Sequence, residues 1–366
     1  MIRLRAPGRI CLFGEHQDYL NYPVISMAIS KYIFLEAKKA NKLRIAVSLP
    51  DVDQKIEISL NTMELGYESK RDYLRSGYNQ FIRKGIKFEK GYDVKIRGDI
   101  PINAGAASSS ALVIAWISFL NLIANSRLDK IQLATEGYNS EVKEFREGGG
   151  MMDHFTSACG KVIYLDPLNP LNVLNFDVNL DGFVLGDSLE KKSTVDDLIR
   201  TKQLAVEAFN VLKEVVPNFN PYTTSYNDLE KFLPNLSKEH RKKIVGNIIN
   251  RDLTTKAKYL ILKNVNLLKN QEKSKELDHF YLELGTLLNL HHDQLKNNIG
   301  SSTAKIDRMI NASLKNGALG AKINGSGFGG TMFAVSIGNE AQVKRAIEEV
   351  GGKVYLIKTS NGVENY

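Results

Sequence analysis

The chain has 366 residues, 43% hydrophobic and 25% charged, which excludes a disordered polypeptide and favours two domains over a single core. Its formal net charge is +8, but Lys and Arg are interleaved with Asp and Glu along most of the chain. The excess therefore suits small anionic ligands and gives no sign of nucleic-acid binding. Two cysteines without paired or metal-like spacing, no leader-like apolar N-terminus and no run of about 18 apolar residues point to a reduced cytoplasmic protein with no membrane span.

Ile2 to Ala6 alternates apolar and polar residues, a short strand stopped at Pro7-Gly8. Gly8 to Tyr19, GRICLFGEHQDY, then places Arg9, Glu15, His16 and Asp18 around an apolar strand. A guanidinium fork, two carboxylates and an imidazole form a donor and acceptor set suited to hydroxyl groups, although a solvated loop of mutually paired charges has the same composition. A further apolar run covers Val24 to Ile29, and strands are expected at 34–38, 43–47, 55–60 and 92–98. Apolar spacing at Tyr73, Leu74, Tyr78 and Phe81 predicts a helix over 70–86.

Pro101 to Ala111 reads PINAGAASSSA, a small-residue loop opening an apolar helix from about 111 to 125. The first turn of a helix leaves backbone N–H groups without partners and carries partial positive charge, so such a loop can cradle a phosphate. A second helix is expected over 129–145, carrying Glu141 and broken by Gly148-Gly149-Gly150. Three glycines cannot sit inside a helix cheaply, so the backbone must turn sharply or approach something closely there. A short helix from Met151 follows, with Asp153 near its start, then a strand at 161–166 and a compositional boundary near 170–181. Helices are expected at 195–215, 236–270, 274–297 and 303–316, then strand, glycine loop and strand over 320–335, a helix at 340–350 and a last strand at 353–358. Mixed strands ahead of a loop-and-helix unit argue for an α+β fold.

Three segments, GRICLFGEHQDY, PINAGAASSSA and KINGSGFGG, occur in an order and at separations that resemble the GHMP family of small-molecule kinases. The first resembles the galactokinase signature, and GMMDHF and LNLHHDQLKNN extend the likeness over essentially the whole chain. The resemblance implies a two-lobed α+β kinase fold with the active site in the cleft between lobes, here 1–180 and 181–366. It implies ATP and Mg²⁺ as cofactors and a small sugar as acceptor, phosphorylated on its anomeric hydroxyl. Galactose is the first expectation. A mevalonate-type alcohol kinase and a non-catalytic ATP and sugar sensor are the alternatives. No nucleic-acid or membrane partner is implied, and no assembly beyond the single chain is read from the sequence.

Carried over by position, Gly105, Ala106, Ala107, Ser108, Ser109 and Ser110 match the phosphate loop, and Gly325 and Gly327 belong to a third loop packed against it. Ser109 and Glu141 match the Mg²⁺-binding pair. Asp153 matches the catalytic aspartate and Arg9 the arginine beside it. Glu15, His16, Asp18 and Gly150 join Arg9 and Asp153 as expected sugar contacts. The sequence departs from the pattern at Asn103, at Ala106 and Ala107 where Leu and Ser are usual, at Gly148-Gly149, at Lys70, and over 188–198. In that last segment Lys191 and Lys192 add positive charge, and Leu198 or a neighbour replaces a sugar-contacting tyrosine. These departures leave kinase chemistry better supported than galactose itself.

Overall fold

The computed structural model describes residues 1–60, 63–102, 104–168, 171–190, 194–270 and 272–366, the side chains of 194–196 and 198 excepted. Asn103, Lys191, Lys192 and the Leu198 side chain lie outside the described residues. Strands β1 (Ile2–Phe13), β2 (Val24–Ala40), β3 (Arg44–Leu49), β4 (Gln54–Ser59), β5 (Gly91–Gly98), β6 (Val162–Asp166) and β7 (Asn172–Asn175) come from the first half of the chain. Strands β8 (Phe183–Asp187), β9 (Gly320–Ile323), β10 (Thr331–Val335), β11 (Lys353–Ile357) and β12 (Glu364–Asn365) come from the second. They form two sheets. One runs β12-β1-β2-β5-β3-β4, with β6 on β2 and β7 on β6; the other runs β11-β8-β10-β9. The only parallel pair among these strands is β3 with β5. The apolar runs expected at 24–29 and 34–38 are one long strand, which is why β2 can pair with β1, β5 and β6 along its length.

The helices are α1 (Tyr73–Arg83), α2 (Ser108–Ala124), α3 (Lys130–Tyr138), α4 (Met152–Cys159), α5 (Thr194–Val215), α6 (Tyr226–Leu229), α7 (Lys238–Lys263), α8 (Val265–Asn270), α9 (Lys275–Gln294), α10 (Ala304–Lys315) and α11 (Glu340–Glu349). α2 is apolar on nearly all faces because it is the central helix of the first half: Val113, Ile114, Trp116, Ile117, Phe119 and Leu120 are fully buried against β1, β2 and the neighbouring helices. Each such side chain contributes roughly 1.5–3 kcal/mol on burial. This packing fixes where the N-terminus of α2 points, and with it the phosphate-loop candidate.

The helix expected over 129–145 begins at a capping box of Asp129 and Gln132, but ends at Tyr138 and continues as a π-helical turn, Asn139–Lys143. The helix expected over 236–270 breaks at Asn264 into α7 and α8. The four helices α7 to α10 start at Ser237, Asn264, Ser274 and Thr303; the side chains of Ser237, Ser274 and Thr303 each accept from the backbone N–H three residues on. The chain does not end on β11. Residues after it return to the first sheet through bridges of Thr359 to Ile29 and Asn361 to Gly160, and β12 pairs antiparallel with β1. No helix of the described residues is long and apolar enough to cross a membrane.

Candidate active site

The loop before α2 turns at Gly105 (φ 85°) and Ala107 (φ 63°), so the helix starts at Ser108 from a left-handed residue without a side-chain cap. The first N–H groups of α2 have no acceptor further back in the helix and face the direction from which the chain enters. Ala106 and Ala107 are 1% and 7% exposed. Their methyls pack inward, so only their backbones can serve a phosphate, whereas Ser109 is exposed at the helix start. β1 runs directly beneath: the Arg9 N–H donates to the Ala106 carbonyl (3.1 Å), and a Cβ on Gly8 would lie 2.6 Å from the same oxygen. Glycine at position 8 is what lets the strand and the loop approach this closely.

Arg9 reaches from β1 to the first turn of α4. Its Nε and Nη2 donate to the two oxygens of Asp153 at 2.7 and 2.9 Å, and its Nη1 donates to the Gly105 carbonyl. Burial works against the Arg9 charge, but Asp153 together with Cys11 and Glu15 outweighs it and holds the guanidinium above its ordinary pKa. Arg9 is buried, whereas the Asp153 side chain is 27% exposed, so the carboxylate is held from behind and open in front. Asp18 lies close by, in a single 3₁₀ turn (Asp18–Leu20). A Cβ on Gly150 would overlap its carboxylate. Burial, with Asp153 as a neighbouring negative charge, raises the Asp18 pKa to about 6. Arg9, Asp18, Gly150 and Asp153 thus converge, with two carboxylates brought close to one another.

Glu141 projects from the π-helical turn, a local irregularity often found at functional sites. Burial would raise its pKa, but His154 and the hydroxyls of Ser109 and Ser110 lower it below the ordinary carboxylate value. His154 Nε2 and Glu141 Oε2 are 2.6 Å apart. A buried, ionised carboxylate beside two hydroxyls at a helix start is a hard oxygen set that suits Mg²⁺, whose other ligands would be phosphate oxygens and water. No cluster of three or more His, Cys, Asp or Glu among the described residues could hold a metal.

The third glycine loop meets the phosphate loop through Asn324, Gly325 and Thr331. Asn324 Nδ2 donates to the Gly105 carbonyl (3.1 Å), the Thr331 hydroxyl donates to the Ala104 carbonyl (2.8 Å), and a Cβ on Gly325 would lie 2.9 Å from the Gly105 oxygen. Gly327 packs against Ser301, whose carbonyl accepts from Phe328 N at 2.7 Å.

Two further expected sugar contacts, Glu15 and His16, have protein partners. Glu15 is 3% exposed and paired with Lys322, which is itself fully buried. His16 Nε2 lies 2.8 Å from the Ser326 carbonyl, which can only accept, so that nitrogen carries the proton; Nδ1 then accepts from the Tyr19 hydroxyl at 3.3 Å. Sequence reasoning did not single out Asn324, Lys322 or His154. Asn324 also accepts from Cys11 N (2.9 Å) and so ties β1 to both loops. The available signal was a lysine and an asparagine inside the otherwise apolar or glycine-rich GAKINGSG, and a histidine directly after Asp153.

The galactokinase galactose-binding signature matches residues 2–39, the GHMP kinase N-terminal domain 72–161 and the GHMP kinase C-terminal domain 273–355, which together span more than half of the chain. A galactokinase from Pyrococcus furiosus is 26% identical over 99% of both chains. A mevalonate kinase from the same organism is 26% identical over 97% of this chain and 95% of its own. In fold, the crystal structure of Lactococcus lactis galactokinase complexed with galactose superposes with a TM-score of 0.84 at 20% identity, covering 100% of this chain and 95% of that one. The chain belongs to the GHMP kinase family, is galactokinase-like within it, and is a phosphotransferase acting on an alcohol group.

Proposed function

We propose that the chain is an ATP-dependent sugar kinase, transferring the γ-phosphate to the anomeric hydroxyl of galactose or a related sugar to give a sugar 1-phosphate. The observation that carries this reading is the pairing of two carboxylates, Asp18 and Asp153, over Gly150, with Arg9 gripping Asp153 from the buried side. Neighbouring carboxylates accept hydrogen bonds from a polyol, and they repel an anionic alcohol such as mevalonate.

Phosphoryl transfer depends on positioning and charge neutralisation more than on covalent help. In the proposed arrangement the N–H groups at the start of α2 and the backbone of 105–107 hold the phosphates. Mg²⁺, where bound, supplies charge neutralisation on the triphosphate, and Ser109 and Glu141 are the residues suited to hold it. Asp153, fixed in direction by the Arg9 fork, orients the attacking hydroxyl and accepts its proton. Asp18 and the Gly150 backbone fix the rest of the acceptor.

A coupled ADP-release screen over free sugars with MgATP tests the proposal. Turnover with galactose or a close relative is expected. ATP binding without turnover of any sugar would favour a sensor, and turnover of mevalonate alone would remove the sugar assignment.

A further inference from the structure

We propose that His154 is a positioning residue for Glu141, its ring N–H holding that carboxylate in the orientation that serves Mg²⁺. The inference rests on the assignment of Ser109 and Glu141 to the metal, and names the residue that fixes one of them. His154 Nε2 and Glu141 Oε2 lie 2.6 Å apart, with His154 1% and Glu141 5% exposed. An ionised carboxylate can only accept, so Nε2 donates. The contact joins α4 to the π-helical turn Asn139–Lys143. A carboxylate that serves a metal is commonly held by a hydrogen bond of its own, and loss of such an outer partner typically costs 10–100-fold in metal affinity.

The neighbouring helix makes room for the imidazole. A Cβ on Gly137, in α3, would lie 3.2 Å from His154 Cδ2 and 2.6 Å from Ile114 Cδ1. Gly137 lies within the helix, so space and not an unusual backbone conformation accounts for glycine there, against helix propensity. The Tyr138 ring meets the imidazole edge-on, with centroids 5.8 Å apart and planes at 75°. The hydrogen bond that the ring makes among the described residues goes to Glu141. Packing alone would be met by an apolar side chain, which leaves no buried ring nitrogen to satisfy. His154 also follows Asp153 directly. One short helix, Met152–Cys159, therefore turns Asp153 toward Arg9 and His154 toward Glu141, and sets the acceptor carboxylate in register with the metal carboxylate.

A metal titration separates this role from packing. Mn²⁺, standing in for Mg²⁺ and read by its EPR signal, is titrated into the protein holding an equimolar amount of AMP-PNP. His154→Leu fills the space without a donor. It is expected to raise the Mn²⁺ dissociation constant about 10–100-fold, while AMP-PNP affinity in EDTA stays within about threefold of wild type. His154→Gln carries an amide N–H at the reach of Nε2 and is expected to stay within about threefold in both measurements. Glu141→Ala is expected to lose at least as much metal affinity as His154→Leu. Wild-type Mn²⁺ affinity in His154→Leu overturns the proposal, as does a His154→Gln protein equally impaired. If His154→Leu does not fold, His154→Asn, whose amide is too short to reach Glu141, takes its place with the same expectation; failure of both to fold makes the role structural and overturns the proposal. Unchanged Mn²⁺ affinity in Glu141→Ala removes the metal assignment and this proposal with it, whereas a loss there with none in His154→Leu removes this proposal alone. No acceptor enters the titration, so the sugar assignment does not affect it.

Discussion

Asp153 and Asp18 are close neighbours, but only Asp153 is gripped by a guanidinium, and their expected behaviour differs accordingly. Asp153→Asn keeps the shape and removes the proton acceptor. Turnover is expected to fall by about 10²–10⁴, while ATP affinity, measured by titration calorimetry, stays within twofold. Asp18 titrates at about 6 instead of its ordinary 3.8, so it is ionised only above that pH. The sign follows from the raised value. Any stability Asp18 contributes is full below about pH 4 and is lost as pH rises through 6, whereas its use as a hydrogen-bond acceptor needs the ionised form above 6. Acceptor kcat/KM is therefore expected to fall about tenfold per pH unit below 6, and Asp18→Asn to lack that limb; a limb unchanged in the variant would assign it elsewhere. At this scale the sequence was informative through the family resemblance, which is what singled out Arg9, Glu141 and Asp153. It was silent on the partners that hold the Glu15 and His16 side chains, because these lie some 300 residues away.

Among the three consecutive glycines, the need for close backbone approach was legible, but not which one meets it. A Cβ on Gly148 would meet nothing within 4 Å and one on Gly149 only Val142 at 3.8 Å, whereas at Gly150 it would strike the Asp18 carboxylate. Gly150→Ala is expected to raise acceptor KM at least tenfold and to leave ATP affinity unchanged, as steady-state kinetics and nucleotide titration would register. The third loop offers the converse. At Gly325 a Cβ combines φ +72° with a 2.9 Å approach to the Gly105 carbonyl. Gly325→Ala is expected to cost about 1–3 kcal/mol of stability and to weaken ATP more than acceptor, as thermal melting and nucleotide titration would register. The π-helical turn at Asn139–Lys143 was read as ordinary helix because hydrophobic spacing does not register one inserted residue. The turn re-aims Glu141 toward Ser109 and Ser110, a local break from regularity at a functional position.

For the whole molecule we propose two lobes divided near residue 180, with the residues after β11 assigned to the first lobe. Those residues make a single short strand, two isolated bridges and a contact with α4, too little periodic pattern to be read from sequence. They are nevertheless well anchored. Val363 is 4% exposed, Val363 N donates to the Ser157 carbonyl at 2.9 Å, and Glu364 pairs with Arg5 at 2.5 Å. Burial of Val363 alone is worth about 2 kcal/mol. Truncation after Ile357 is expected to lower the thermal midpoint by roughly 5 °C, and an unchanged midpoint would show the segment to be dispensable.

The same closure has a consequence for how the protein is made. β12 covers the outer edge of β1 at Leu4 and Arg5, yet Glu364 is synthesised 359 residues after the Arg5 with which it pairs. At roughly 5–20 residues per second, synthesis leaves that edge uncovered for about 20–70 s. During that interval the nascent chain offers an open row of backbone donors and acceptors to any neighbouring strand. Slow translation or crowded polysomes should therefore favour aggregation of this chain through its N-terminal strand, before a single catalytic residue has been tested.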